Sequence, residues 1–229
     1  MPLDHFPRPQ WLTFDCYGTL IQWDEGLQAA VARILAANQR AQRAPTPARF
    51  LRIYDEHEHR LERTPPHRRF TDITREALRL TMHDLGLAYR PQDAALLTDS
   101  ISAMPPFPEV VDTLALLKRA GFRLCIISNT DDAIIAGNVA QLGGHVDRVV
   151  TAEQAGAYKP SRRIFAHAHD SLGVTPDIFH NAALHRHRLP ERPAARHQSN
   201  SGGAACNPLR TGEASGCAGT EAEGRCRLH

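Results

Sequence analysis

A chain of 229 residues is long enough for one α/β domain with a smaller insertion, and its net charge of +2 is too small to suggest a nucleic-acid partner. No apolar run approaches the roughly 20 residues a bilayer requires, and the first ten residues lack the apolar core of a signal peptide, so a cytoplasmic protein with a small-molecule substrate and no membrane contact is expected. Cys16, Cys125, Cys206, Cys217 and Cys226 form no Cys-x-x-Cys pair and are odd in number, which predicts reduced thiols rather than a disulfide framework or a zinc site.

Residues 11–16 form a short run of apolar and aromatic character ending before Gly18, which reads as a buried strand and a turn. Asp24 is a candidate N-cap for a helix whose Leu27, Val31, Ile34 and Leu35 share one face. From 38 to 103 no convincing strand occurs; helical patterns run over 47–61, 70–85 and 93–101, broken by Thr64-Pro65-Pro66 and by 86–91. Alternation then resumes with a helix from Pro108 to Arg119, a strand over 122–127, a helix over 131–142 and a strand over 147–151. After Pro160-Ser161 another helix presents Ile164, Phe165, Ala168 and Leu172 to a core. Strands alternating with helices predict the α/β class with a parallel, doubly wound sheet, whose ligands bind beyond the carboxyl ends of the strands. The composition changes after His180: residues 181–229 hold no Val, Ile, Phe, Tyr, Trp or Met and carry seven arginines against four glutamates, so a disordered tail is expected.

Phe14-Asp15-Cys16-Tyr17-Gly18-Thr19-Leu20 puts a carboxylate where the first strand ends, with a glycine to turn the chain around an anion. Such an aspartate can attack an electrophilic carbon or phosphorus, although taken alone it more often caps a turn. Ser128-Asn129 ends the second strand with a hydroxyl and an amide, and Tyr158-Lys159-Pro160 follows the third. Lys118 and Lys159 are the only lysines, so an ammonium at a strand end stands out. Each motif alone is weak; in order, at successive strand ends, they point to one site. Cys16 alternates to the opposite face from Asp15 and reads as an inert core thiol.

Asp-x-Tyr-Gly-Thr-Leu, Ser-Asn and Tyr-Lys-Pro, with a helical block between the first two, resemble the haloacid dehalogenase (HAD) superfamily, and within it the L-2-haloacid dehalogenases, over residues 11 to about 180. The resemblance implies a Rossmann-like core of residues 1–23 and 104–180, a helical cap of 24–103, and a tail of 181–229 foreign to the family. Phosphatase members carry a second aspartate two residues after the nucleophile, as a proton donor and partner to magnesium; this chain has Tyr17 there. A halide leaves without a proton, and the dehalogenase members need no metal or other cofactor. The implied reaction is hydrolysis of a short L-2-haloalkanoic acid through an ester on Asp15. Thr19 and Lys159 would position and charge-balance the nucleophile. Ser128, Asn129 and Tyr17 would bind substrate or halide, together with a cap arginine, for which Arg52 is the candidate and Arg49 and Arg60 are alternatives. A homodimer is compatible with the sequence.

The match fails beyond His180. The family continues with a loop bearing an aspartate that helps activate water, whereas Asn181-Ala182-Ala183-Leu184-His185-Arg186-His187-Arg188 has no carboxylate. Loss of that acid predicts that the ester forms more readily than it is hydrolysed. An arginine-rich, lysine-poor chain suggests GC-rich codons, and a frameshift near codon 181 would yield such a tail; translating the other two frames tests this. A magnesium-dependent phosphatase, and an inactive protein with a truncated core, are the alternatives.

Overall fold

Leu124 to Ser128 are all buried, as a strand covered on both faces must be, and this run becomes β2 (Arg123–Ser128), the centre of a three-stranded parallel sheet. The computed structural model of the chain describes residues 8–38 and 45–174; the strand begun at Asp177-Ile178-Phe179-His180 and the expected disorder and frameshift of the tail lie outside them. β1 (Trp11–Phe14) pairs with β2 from Trp11 opposite Arg123 to Phe14 opposite Ile126. On the other side β3 (Arg148–Thr151) pairs from Cys125 opposite Arg148 to Ser128 opposite Thr151. Parallel pairing brings the three carboxyl ends to one rim, so that Asp15 and Asn129, each the first residue past its strand, emerge together there.

Parallel neighbours need long crossovers. The first crossover holds α1 (Trp23–Ala36), α2 (Pro47–Glu62), α3 (Phe70–Asp84), α4 (Pro91–Ser102) and α5 (Val110–Arg119); the second holds α6 (Asp132–Ala140). After β3 come α7 (Ala152–Ala155) and α8 (Arg162–Leu172). Proline occupies the first turn of α2 and of α4, where a missing N–H costs nothing, and the Thr46 hydroxyl accepts from Arg49 N at 3.3 Å to cap α2. α2 packs against α1 and α3, and α4 packs against α1, α3 and α6. Among the described residues no helix is long and apolar enough to cross a membrane.

Two local expectations need correction. α1 starts before Asp24: its N-cap is Gln22, and Asp24 and Glu25 lie in the first turn, where the helix dipole favours carboxylates. The early start puts Trp23 on the helix, its ring 4.8 Å from that of Tyr17. α7 escaped the periodicity because four residues span barely one turn; the Thr151 hydroxyl caps it and Gly156, at φ 61°, ends it.

Asp131 occupies the N-cap position of α6, yet its carboxylate serves another helix. It accepts from Phe70 N and Thr71 N, both at 2.8 Å, and from the Thr71 hydroxyl at 2.6 Å. These are orphan donors of the first turn of α3, satisfied by a fully buried carboxylate. The segment after β2 is thereby strapped to the helices of the first crossover.

Candidate active site

Asp15 is followed by a tight loop in which the Cys16 carbonyl accepts from the N–H groups of Thr19, Leu20 and Ile21 at 3.3, 2.8 and 3.0 Å. Gly18, at φ 77°, supplies the left-handed residue that closes this turn. Cys16 points into the core, and burial, with the neighbouring Asp15 charge, pushes its thiol well above the ordinary range. The expectation of an inert thiol agrees with this environment.

Lys159 reaches Asp15 from the loop after α7. Its Nζ donates to Asp15 Oδ1 at 2.5 Å and to the Ile127 carbonyl at 2.8 Å, so the side chain is fixed between Asp15 and the end of β2. The Asn129 side chain fixes the lysine backbone: its Oδ1 accepts from Lys159 N at 2.7 Å and its Nδ2 donates to the Lys159 carbonyl at 3.3 Å. One residue earlier, the Tyr158 hydroxyl donates to the Arg68 carbonyl at 2.8 Å. These bonds tie the charge partner of Asp15 to β2, to the residue that follows β2 and to the segment that leads into α3.

These groups face a cavity of about 290 Å³. Asp15, Ser128, Asn129 and Lys159 line it from the strand ends, Tyr17, Trp23 and Phe70 add aromatic wall, and α2 contributes Glu58, His59 and Glu62. Ser128 brings a fully buried hydroxyl that has no hydrogen-bond partner among the described residues. The Tyr17 hydroxyl donates to Asn138 Oδ1 at 3.0 Å, which leaves the ring as its contribution to the wall. Burial holds the Tyr17 phenol above its ordinary range.

Glu58 is 8% exposed and its Oε1 accepts from the Tyr54 hydroxyl at 2.9 Å. Burial, reinforced by the neighbouring Glu62 and Asp55 and partly offset by the Tyr54 hydrogen bond, pushes its carboxyl up to about 8. Glu62 is also raised, by burial.

The structure thus gathers Asp15, Tyr17, Ser128, Asn129 and Lys159 around one cavity. Asn129 lines the cavity while its Oδ1 and one of its two amide N–H groups hold the Lys159 backbone. Thr19 shapes the turn through its backbone and is not among the lining residues. Arg52 is displaced from the site: its side chain is 66% exposed and pairs with Glu56 at 2.9 Å. It lines an adjoining groove with Asp55, His59, Arg60 and Arg63, and neither Arg52 nor Arg60 is among the residues that line the Asp15 cavity; Arg49 is exposed outside the cavity wall. Helical geometry is the reason. Phe50, Tyr54 and Glu58 recur every four residues and face inward, while Arg52 lies two residues from Tyr54 and projects from the far flank. The same stripe held an overlooked signal, because a glutamate that continues a run of buried aromatics is marked as buried itself.

Residues 10–179 match the model of the haloacid dehalogenase-like hydrolase family. An (S)-2-haloacid dehalogenase of Pseudomonas sp. (strain YL) is 34% identical over 107 residues, 46% of this chain and 46% of that protein. A glyceraldehyde 3-phosphate phosphatase of Methanothermobacter thermautotrophicus is 39% identical over 74 residues, 31% of this chain and 33% of the other. The chain spans about half the length, or less, of the curated relatives it matches. Among solved structures, an L-2-haloacid dehalogenase from Xanthobacter autotrophicus with chloropropionic acid covalently bound has a similar fold, with a TM-score of 0.61 at 23% identity over 74% of this chain and 67% of the other. With a family match running from β1 past α8, the chain belongs to the haloacid dehalogenase-like hydrolases.

Proposed function

We propose that the protein hydrolyses a short L-2-haloalkanoic acid to the 2-hydroxy acid through an ester on Asp15, with residues 24–103 acting as a cap over a core of 1–23 and 104–180. The observation that carries this reading is the Lys159 ammonium held on Asp15 at 2.5 Å, at the mouth of β1 and beside the unpartnered Ser128 hydroxyl. A carboxylate oriented in this way is a nucleophile. An Asp15 oxygen attacks the α-carbon opposite the halogen, a C–O bond forms, and halide departs with its bonding electrons. Water then adds to the aspartyl carbonyl, the ester bond breaks, and the hydroxy acid leaves. Ser128 is suited to donate to the substrate carboxylate or to the halide, and Tyr17, Trp23 and Phe70 to enclose the alkyl group.

No step needs a metal or another cofactor, because a halide leaves unprotonated. The phosphatase alternative needs an acid where Tyr17 stands, and the Tyr17 hydroxyl is committed to Asn138. Chloride release from L-2-chloropropionate, lost in Asp15→Asn, is the expected result. Magnesium-dependent hydrolysis of a phosphate ester by folded protein that releases no chloride would overturn it.

A further inference from the structure

Burying a carboxyl without a cation is costly, and a glutamine or leucine would fill the same place on α2 at less expense. Glu58 forms no ion pair among the described residues; its hydrogen-bond partner is the hydroxyl of Tyr54, one turn earlier on the same helix. It nonetheless lines the cavity of Asp15, where the buried Ser128 hydroxyl is also unpartnered. The second half of the proposed reaction needs such a group. Once Asp15 is an ester, it cannot take a proton from water. Lys159 is an ammonium bound to the Ile127 carbonyl. His59 lies at the exposed rim with its Nδ1 against the Asp55 carbonyl.

We propose that Glu58 is the base that activates water for hydrolysis of the Asp15 ester, and that Tyr54 is its positioning residue; this rests on Asp15 being the nucleophile. Water oxygen bonds to the Asp15 carbonyl carbon as one of its protons moves to Glu58. The tetrahedral centre collapses, the ester C–O bond breaks, and the departing alkoxide takes that proton from Glu58. Asp15 emerges as the acid and loses the remaining proton to solvent as it re-forms its pair with Lys159. The balance is one water consumed and one hydroxy acid and one proton released.

The surroundings of Glu58 set when it is ionised. Along α2 the Tyr54 hydroxyl donates to it and Asp55 and Glu62 act on its charge, Tyr158 of the loop after α7 is close enough to feel that charge, and Asp15, Glu62 and Lys159 line the same cavity.

The test is single-turnover reaction of the full chain with L-2-chloropropionate, following chloride release and, by quenched mass spectrometry, the adduct on Asp15. In the wild type, ester hydrolysis should rise with pH through about 8 while the chloride burst stays flat. Glu58→Gln should slow ester hydrolysis by about 100-fold or more, with a chloride burst within about threefold of wild type, so that the ester accumulates. If Glu58→Gln fails to fold, Tyr54→Phe serves: removing a hydrogen bond that favours the anion should move the midpoint of the hydrolysis profile to higher pH. An ester hydrolysed at the wild-type rate in Glu58→Gln, or an unmoved midpoint in Tyr54→Phe, overturns the proposal. Loss of hydrolysis in His59→Gln or Glu62→Gln with Glu58→Gln unaffected reassigns the base. Wild type that releases chloride without ever carrying an adduct on Asp15 overturns the nucleophile itself.

Discussion

Glu58→Gln should change not only turnover but the way stability depends on pH. The folded protein holds the Glu58 proton up to about 8, against an ordinary value of 4.5. The unfolded chain releases that proton first, so the Glu58 contribution to stability is full below about 4.5 and is lost as pH rises through about 8. At about 1.4 kcal/mol per pH unit, the whole change amounts to about 5 kcal/mol, and water penetration or local relaxation will reduce it to about 2–5 kcal/mol. Glutamine keeps an acceptor for Tyr54 and does not titrate. The unfolding free energy of the variant, relative to wild type, should therefore increase by about 2–5 kcal/mol between about pH 5 and pH 9. Glu62 shifts in the same direction in both proteins and cancels to first order in the difference. Urea denaturation followed by circular dichroism at several pH values measures this directly. A difference that stays constant within about 0.5 kcal/mol across that range would mean that Glu58 titrates as an ordinary carboxyl, and the physical basis for a base tuned to neutral pH would be gone.

Asp131→Ala leaves Phe70 N, Thr71 N and the Thr71 hydroxyl without their acceptor and should cost about 3 kcal/mol, with faster hydrogen exchange at the first amides of α3; unchanged exchange there would refute the strap. Arg52→Ala should keep chloride release within about twofold, because an exposed pair with Glu56 contributes little, and a tenfold loss would contradict its placement outside the site. Gly137→Ala would drive a Cβ to 2.5 Å from the Ser102 carbonyl oxygen and should destabilise by about 1–3 kcal/mol, measured by thermal melting. A melting temperature equal to that of wild type would show that α4 and α6 are not packed this closely.

What could be read from the sequence follows from where each signal resides. β2 is legible because a strand buried on both faces must be continuously apolar, as Leu124 to Ile127 are. Asp15 and Ser128 are legible because parallel strands carry their carboxyl ends to one rim, and Lys159 because it is one of two lysines and follows the third strand in sequence, although α7 intervenes. Arg52 was misplaced because the sequence announces that α2 is a helix but not which flank is offered to the nucleophile; packing against α1 and α3 decides that. Glu58 was passed over because a glutamate ordinarily reads as solvent-exposed, although its spacing from Phe50 and Tyr54 places it on the buried stripe. Asn129 lines the cavity as expected, but its clamp on the Lys159 backbone is a pairing across 30 residues of chain that no local pattern encodes. The same holds for Asp131, which occupies the cap position of one helix and caps another.

In the proposed reaction the two half-reactions draw on two parts of the chain. The proposed attack draws on Asp15 at the end of β1 and on Lys159, which reaches the Ile127 carbonyl of β2 and whose backbone is clamped by Asn129. The proposed hydrolysis depends on α2, which brings Glu58, His59 and Glu62 to the cavity wall and is held there by the way the crossover helices are seated. That seating is fixed at the rim by Asp131 on the first turn of α3 and by the Tyr158 hydroxyl on the Arg68 carbonyl, and α2 packs on α3. The two straps arise from segments adjoining Asn129 and Lys159, residues that also line the cavity, so the placement of Glu58 relative to Asp15 is set by the segments that hold Lys159 on Asp15. Under this proposal a chain without a carboxylate among residues 181–188 completes the cycle, because its base comes from α2.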